Sequence, residues 1–109
     1  MTVVTIKEEY AQVLEPLGPS IDEAIRRLAI ERANQRISEL QRKVQTWEAT
    51  YQSSFDLFAF RTATDEDYVA SLNQAPETSQ WEADLIAWEF YAKELDEWYS
   101  RLRSILMAS

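Results

Sequence analysis

Residues 81–106 read WEADLIAWEFYAKELDEWYSRLRSIL, and this stretch decides the fold. Apolar side chains recur in it with alternating steps of four and three residues: Trp81, Leu85, Trp88, Ala92, Leu95, Tyr99, Leu102 and Leu106. This spacing is the a/d pattern of a coiled coil. Because such an apolar stripe is unstable in water, it predicts a helix that packs against another helix or another chain.

A second stretch, residues 20–51, also has heptad spacing. Its apolar positions are Ile30, Ala33, Ile37, Leu40, Val44, Trp47 and Tyr51. Ser20 predicts the start of this helix, because Pro19 precedes it and Glu23 completes a capping box. Two long helices, near 20–51 and 77–106, predict an all-α fold. We expect a long antiparallel helical hairpin, coiled-coil-like, with short flanking helices; a parallel pair is the alternative.

The hinge between these helices, residues 52–80, carries weaker signals. It contains a cluster of apolar residues: Phe55, Leu57, Phe58 and Phe60. Thr64, followed by three acidic residues, predicts a capped short helix over residues 65–72. Asn73–Ser79, with Pro76 inside it, predicts a loop.

The first residues of the chain allow two interpretations. Thr2–Ile6 is short and β-branched, which is typical of a strand. Thr5 and Glu8 also form a capping box, which predicts a helix over Ile6–Glu15. Two prolines and a glycine within residues 16–19 stop either element.

The composition restricts the chemistry that the chain can carry out. With 109 residues, 46% apolar and 28% charged, it is expected to form one globular domain, 1–109. It has no histidine, no cysteine and one glycine. Histidine- and cysteine-based catalytic groups, ordinary zinc sites and glycine-rich phosphate loops are therefore excluded. We predict no enzymatic activity, no catalytic residue, no metal site and no cofactor.

The net charge of −8 is unevenly distributed. Residues 1–36 hold five basic and six acidic side chains, a net of −1, whereas residues 37–109 hold six and thirteen, a net of −7. The acidic part should attract basic proteins and repel phosphate backbones. The chain lacks a spanning apolar run and a signal-peptide pattern, so we predict a cytoplasmic protein with no membrane partner.

The e positions of the last helix form an acidic row: Glu82, Glu89 and Asp96. In an antiparallel pair this row faces e positions that offer no positive charge: Asn34, Gln41 and Glu48. The acidic row therefore stays unpaired in the expected hairpin. It is interpreted either as a solvated face or as a docking surface for a basic protein.

The last helix also has more aromatic side chains than its a/d stripe, the seam between the two long helices, can bury. Large exposed aromatic patches usually mark protein interfaces. The predicted partner-binding residues are Glu82, Trp88, Glu89, Tyr91, Asp96 and Trp98. The predicted dimerisation residues are Trp81, Leu85, Trp88 and Ile105. A two-fold homodimer is the expected oligomer.

The run ANQRISELQRKVQTWEATYQSSFDLFAF, residues 33–60, ends a helix on aromatic residues and continues into a Ser-Phe-x-x-Phe corner. Its marked positions are Trp47, Glu48, Tyr51, Ser54, Phe55 and Phe58. With Asp67–Tyr68, Trp81, Trp88 and the leucine-rich last helix, this run resembles small bacterial helical antitoxin-like proteins of type II toxin–antitoxin pairs. The resemblance implies neutralisation of a small toxin, often a ribonuclease. Gln52–Ser53 stands where that group usually has glycine.

The front of the chain, residues 2–36, has a second resemblance. A β-branched segment, a helix, a turn with Gly18 and then SIDEAIRRLAIER resemble a ribbon-helix-helix module. The resemblance implies a dimer that binds DNA through a two-stranded ribbon. In this chain the ribbon would present threonines and Lys7 to the DNA, and Ser20 would contact a phosphate.

The sequence therefore predicts a non-enzymatic, antitoxin-like interaction module that binds and neutralises a small basic partner such as a toxin ribonuclease. In this interpretation residues 1–36 contribute dimerisation, and residues 37–109 form the acidic partner-binding part. The first alternative is a DNA-binding autorepressor that uses the N-terminal segment. The second is a structural coiled-coil adaptor.

Overall fold

The computed structural model describes residues 18–108, with side chains from Ile21 onward. Four helices make up 88% of this part, and it contains no strand. They are α1 (Gly18–Tyr51), α2 (Phe55–Thr64), α3 (Glu66–Gln74) and α4 (Trp81–Met107). The predicted all-α fold is confirmed. Within the described residues, no helix is long and apolar enough to cross a membrane.

The two long helices, α1 and α4, pack side by side in opposite directions. Tyr51, at the end of α1, hydrogen-bonds Asp84 near the start of α4, and Gln41 bonds Tyr99 farther along. The residue numbers of the contacts thus rise along α4 as they fall along α1. This confirms the antiparallel hairpin. We call the end with Tyr51 and Asp84 the closed end and the opposite end the open end.

The two helices differ in length, and α1 is the longer one, with 34 residues against 27 in α4. Counted from the Tyr51–Asp84 and Gln41–Tyr99 contacts, Met107 lies level with a residue between 28 and 33. The first ten or more residues of α1 therefore extend beyond α4, by at least about 15 Å at 1.5 Å per residue.

The hydrophobic core is largest at the closed end of the hairpin. Tyr51, Phe58, Leu72 and Trp88 form one buried cluster, so α1, α2, α3 and α4 each contribute one side chain. Half-buried side chains pack around this cluster: Val44, Trp47, Phe55, Tyr68, Trp81 and Leu85. Farther from the hinge, the buried residues of α1 are Ala33, Ile37 and Leu40. The core is therefore wide and aromatic at one end and narrow at the other.

The hinge contains one helix that the sequence did not predict and one that it did. Ser54 caps α2 by accepting a hydrogen bond from the backbone N–H of Leu57 at 3.3 Å. Asp65 caps α3 by accepting from the N–H of Tyr68 at 3.0 Å. The predicted cap at Thr64 is wrong, because Thr64 is the last residue of α2. The carboxylate of Asp65 is the better cap for a helix N-terminus, since its negative charge interacts favourably with the helix dipole.

Two helix boundaries differ from the prediction. Helix α1 begins at Gly18, so Ser20 lies in its first turn rather than at its cap. Helix α4 begins at Trp81, four residues later than predicted, because residues 75–80 form turns. The hydroxyl of Thr78 donates to the carbonyl of Leu72 at 2.7 Å and holds these turns against the end of α3.

The end of α1 uses a glycine-type cap without glycine. Gln52 has φ 49°, in the left-handed region, and the N–H of Ser53 donates to the carbonyl of Glu48 at 3.2 Å. This is the long-range bond of a Schellman cap. A side chain at such a position costs about 1 kcal/mol relative to glycine. Gln52 therefore adopts the left-handed conformation that glycine usually provides at a helix end.

The predictions for the first residues lie outside the described part of the chain. These are the strand Thr2–Ile6, the alternative helix Ile6–Glu15 and the role of Lys7 in a DNA-binding ribbon.

Candidate interaction surfaces

Trp88 lies at the centre of the closed end and is 0% exposed. Its ring centroid is 5.3 Å from that of Phe58 and 6.0 Å from that of Tyr51, in stacked arrangements. Phe55 packs edge-on at 5.6 Å, and Trp47 stacks at 6.3 Å. Because four aromatic rings enclose it, Trp88 is a core residue. It cannot anchor a partner from the surface of this fold. Its predicted places among the partner-binding and the dimerisation residues are therefore wrong.

The other predicted dimerisation residues are partly used within the chain itself. Trp81 is half-buried and donates its indole N–H to the side-chain oxygen of Asn73 at 2.9 Å. Leu85 packs against the aromatic core. Ile105 lines a groove at the open end. These contacts indicate that most of the seam stabilises the hairpin, and the homodimer remains a prediction.

The predicted acidic row lies on the solvent side of α4. Glu82, Glu89 and Asp96 are all exposed. Among the described residues, each salt bridge joins two side chains of the same helix, so no cation of α1 pairs with the row. Lys93, which bonds Glu89 at 2.9 Å, contributes the row's one ion pair in this part of the chain. The row therefore presents an excess of negative charge to solvent.

Two large apolar side chains are exposed beside the acidic row. Ile86 is 71% and Phe90 is 58% exposed. Ile86 has Glu82 four residues before it, Glu89 three residues after it and Phe90 four residues after it, and these spacings place all four on one side of a helix. Phe90 also packs edge-on against Tyr91 at 5.7 Å. We call this surface, comprising Glu82, Ile86, Glu89, Phe90 and Asp96, the acidic face.

Ile86 and Phe90 were not among the predicted partner-binding residues. They lie outside the heptad seam, and the prediction had placed the aromatic anchors on other positions. The signal that could have identified them is their spacing of three and four residues from the glutamates of the row.

The two remaining aromatic candidates, Tyr91 and Trp98, are half-buried and turn towards α1. The ring of Tyr91 is 5.4 Å from that of Trp47. Trp98 lines the open-end groove, and the guanidinium of Arg101 lies 4.6 Å from its ring centroid. At 100° per residue, Trp98 is about 160° around α4 from Glu82. The predicted anchors and the predicted charges therefore lie on different sides of the helix.

A groove of about 690 Å³ opens between α1 and α4 at the open end. Its lining is mainly apolar and includes Ile25, Leu28, Ala29, Trp98 and Ile105. Arg32 and Arg101 are its charged lining residues in the described part of the chain. Arg101 is paired with Glu97 at 3.7 Å, so the open-end groove is mainly an apolar surface, in contrast to the acidic face.

The closed end is held by a partly buried polar contact as well as by aromatic packing. The hydroxyl of Tyr51 donates to a carboxylate oxygen of Asp84 at 2.5 Å. Burial and the negative charge of Asp84 raise the pKa of the Tyr51 hydroxyl far above its usual value of 10.0. The hydroxyl therefore keeps its proton in the folded protein and links the end of α1 to the start of α4.

We expect Tyr51→Phe to lower the free energy of unfolding by about 1.5–3 kcal/mol, the range for a hydrogen bond to a charged group. The wild-type advantage is complete below pH 10.0, the usual tyrosine pKa. It shrinks above that value, because the unfolded chain then releases a proton that the folded chain keeps. Urea titrations of both proteins at about pH 8 and pH 11 check this; an unchanged difference at the higher pH would contradict it.

Within residues 18–108, no group of three or more acidic side chains lies close enough together to hold a metal ion. Comparisons of the whole chain with protein-family models, with curated proteins and with solved structures find no match. The function is therefore inferred from the side chains and their geometry.

Proposed function

We propose that this protein is a non-enzymatic interaction module whose acidic face binds a small basic protein. The observation that carries the proposal is the pair Ile86 and Phe90, 71% and 58% exposed among the carboxylates of the acidic face. Acidic residues in the first turns of a helix interact favourably with its dipole and keep a protein in solution. Neither of these roles explains two large apolar side chains that project into solvent at the same place.

The arrangement of the acidic face suits recognition of a basic protein. Carboxylates at the rim of an interface raise the association rate of a partner of opposite charge. A central apolar pair excludes water once contact is made and slows dissociation. Over Trp81–Glu97 the helix carries six acidic side chains and one lysine, so the attractive field is concentrated around Ile86 and Phe90.

The partner that we propose is a toxin-like protein, such as a small ribonuclease, which the chain would neutralise as an antitoxin. Ribonucleases bind the phosphates of their substrate through basic side chains. The carboxylates Glu82, Glu89 and Asp96 match that chemistry and would compete with the substrate for the same surface. The resemblance of residues 33–60 to antitoxin-like proteins supports this form of the proposal.

The apolar pair provides the direct test. We expect the double variant Ile86→Asp, Phe90→Asp to lose at least about 30-fold in affinity for a small basic protein encoded beside this gene, since central anchors contribute 2 kcal/mol or more. Calorimetric titration measures the affinity, and growth of cells that co-express the two proteins measures neutralisation.

The matched control is Leu57→Asp, Phe60→Asp on α2. These two side chains are 50% and 64% exposed, so the substitutions add the same charge at a comparable exposure. We expect the control to bind as the wild type does. Equal losses in both double variants would argue against a binding role specific to the acidic face.

A further inference from the structure

The part of α1 that extends beyond α4, which we call the overhang (residues 18–28), lies beside the open-end groove. Ile25 is 43% and Leu28 is 52% exposed, and both line the groove together with Trp98 and Ile105 of α4. The described part of the chain therefore has a helix end without a neighbour next to a groove without an occupant. Apolar surface of this kind is stabilised when another helix covers it.

The apolar side chains of the overhang form one stripe with a charge at each end. Ile21, Ile25 and Leu28 are spaced by four and three residues, which is the a/d spacing of two packed helices. Four residues farther on, the stripe reaches Arg32, which also lines the groove. Asp22 is exposed beside Ile21 at the other end. Neither Asp22 nor Arg32 forms a salt bridge with another described residue.

This stripe is complementary to a second copy of itself in the antiparallel direction. An a position of one helix faces a d position of the other there, so Ile25 packs against Leu28 of the second copy. Because antiparallel helices advance in opposite directions, Arg32 then lies opposite Ile21 and beside Asp22 of the second copy. Two-fold symmetry repeats each contact, so an Arg32–Asp22 ion pair flanks the apolar centre on either side.

The other positions beside the stripe are compatible with this pairing. In an antiparallel pair, e positions face e positions and g positions face g positions. Glu31, the one further charged residue beside the stripe, therefore faces Ala24 of the second copy, and Asp22 faces Ala29. Like charges do not meet, and the two small alanine side chains let the helices approach closely.

The length of the overhang also matches the groove. The overhang is about 15 Å long, and the lining residues of α1 from Ile25 to Ala33 span about 12 Å. In the two-fold arrangement the overhang of each copy lies along the groove of the other, on the side of Trp98 and Ile105. Three helices then meet at each groove: α1, α4 and α1 of the second copy. Ile105 is the one residue of the predicted dimerisation set that belongs to this surface.

We propose that a second copy of this chain covers the open-end groove, with the two overhangs antiparallel about a two-fold axis and each overhang in the groove of the other molecule. One helix end and one groove per copy involve fewer residues than the roughly 20–30 per side of a standard interface. We therefore expect a dissociation constant on the order of micromolar. Phe90 of the acidic face lies about 22 Å along α4 from Ile105. The acidic face thus stays accessible in the dimer, and this proposal does not depend on the proposed function.

Sedimentation equilibrium of the full chain from about 1 to 200 μM tests the proposal. We expect the wild type to change from monomer to dimer over this range. The double variant Ile25→Asp, Leu28→Asp should raise the dissociation constant at least about 100-fold, because the dimer would then bury four carboxylates at its centre. The matched control is Leu57→Asp, Phe60→Asp on α2, which adds the same charge at 50% and 64% exposed positions and should dimerise as the wild type does.

A charge exchange tests which residues meet across the interface. Asp22→Arg alone and Arg32→Asp alone each place like charges together, so we expect each to weaken the dimer about tenfold. The combined variant restores opposite charges and should return to within about threefold of the wild type. Within one helix the two positions are about 15 Å apart, so a rescue reports a contact between two copies.

Circular dichroism verifies that each variant folds. A wild type that stays monomeric at the highest concentration would overturn the proposal and show that no second copy covers the groove. A dimer that persists in Ile25→Asp, Leu28→Asp, or that the control variant also dissociates, would overturn it as well, because the contact would then lie elsewhere. If the two aspartates unfold α1, the charge exchange decides, and a combined variant without rescue overturns the proposal.

Discussion

Replacing Trp88 with alanine is expected to lower the free energy of unfolding by about 3–5 kcal/mol. The indole is fully buried and packs against four aromatic rings from α1 and α2. Its removal deletes these contacts and leaves a cavity that rigid rings cannot refill. Since small domains are stable by only about 5–15 kcal/mol, the variant should be close to unfolding. Urea denaturation followed by far-ultraviolet circular dichroism measures the loss.

The control for this prediction lies two residues away on the same helix. Ile86 is 71% exposed, so Ile86→Ala should change the stability by less than about 0.5 kcal/mol. Both substitutions leave the helix-forming tendency of α4 intact, because alanine is the best helix former. Similar losses in the two variants would contradict the central position of Trp88 in the core.

Reversing the charges of the acidic face should slow association with the basic partner that we propose. We expect the triple variant Glu82→Lys, Glu89→Lys, Asp96→Lys to reduce the association rate about 10–100-fold at low salt, with a much smaller change in the dissociation rate. The wild-type rate should fall steeply with ionic strength, and that of the variant should not. Stopped-flow measurements over a range of salt concentrations separate the two rates.

The control applies the same change in net charge elsewhere on the surface: Glu31→Lys, Glu48→Lys, Glu77→Lys. These three glutamates are exposed and belong to no salt bridge among the described residues. The fold should tolerate both triple variants, because an exposed ion pair such as Glu89–Lys93 contributes at most about 1 kcal/mol. If the two triple variants slow association equally, net charge is responsible rather than the acidic face. If neither does, the row is a solvated face.

The hairpin could be predicted from sequence because its two helices carry unbroken heptad spacing and the hinge is bounded by helix-stopping residues. Helix α2 could not be predicted from the sequence, because its apolar residues 55, 57, 58 and 60 do not follow a helical repeat. Phe58 is buried, whereas Leu57 and Phe60 are exposed. Only part of the apolar surface of the hinge therefore packs into the core. Tertiary packing, together with the cap at Ser54, decides the conformation there.

The candidate site was predicted in part. The exposure of the acidic row was predicted correctly. In an antiparallel pair the facing e positions of the other helix offer no positive charge, so the row was expected to lack a partner across the hairpin. Trp88 was wrongly assigned to the partner-binding and dimerisation surfaces. A seam position predicts that a side chain is buried, but it does not show whether the same chain or a partner buries it. Phe55 and Phe58 of α2, together with rings of α1, enclose the indole. Ile86 and Phe90, which lie outside the seam, are large apolar side chains exposed beside the acidic row.

The uneven distribution of the core along the hairpin has a consequence for local unfolding. Amide hydrogen exchange should be slowest around Tyr51 and Trp88, where the rings interlock, and should accelerate towards Ile25 and the end of α4. The two helices would then separate from the open end without loss of the closed end. The acidic face lies along the protected part of α4, so the partner that we propose would meet a surface that is already ordered, and binding there would carry little entropic cost.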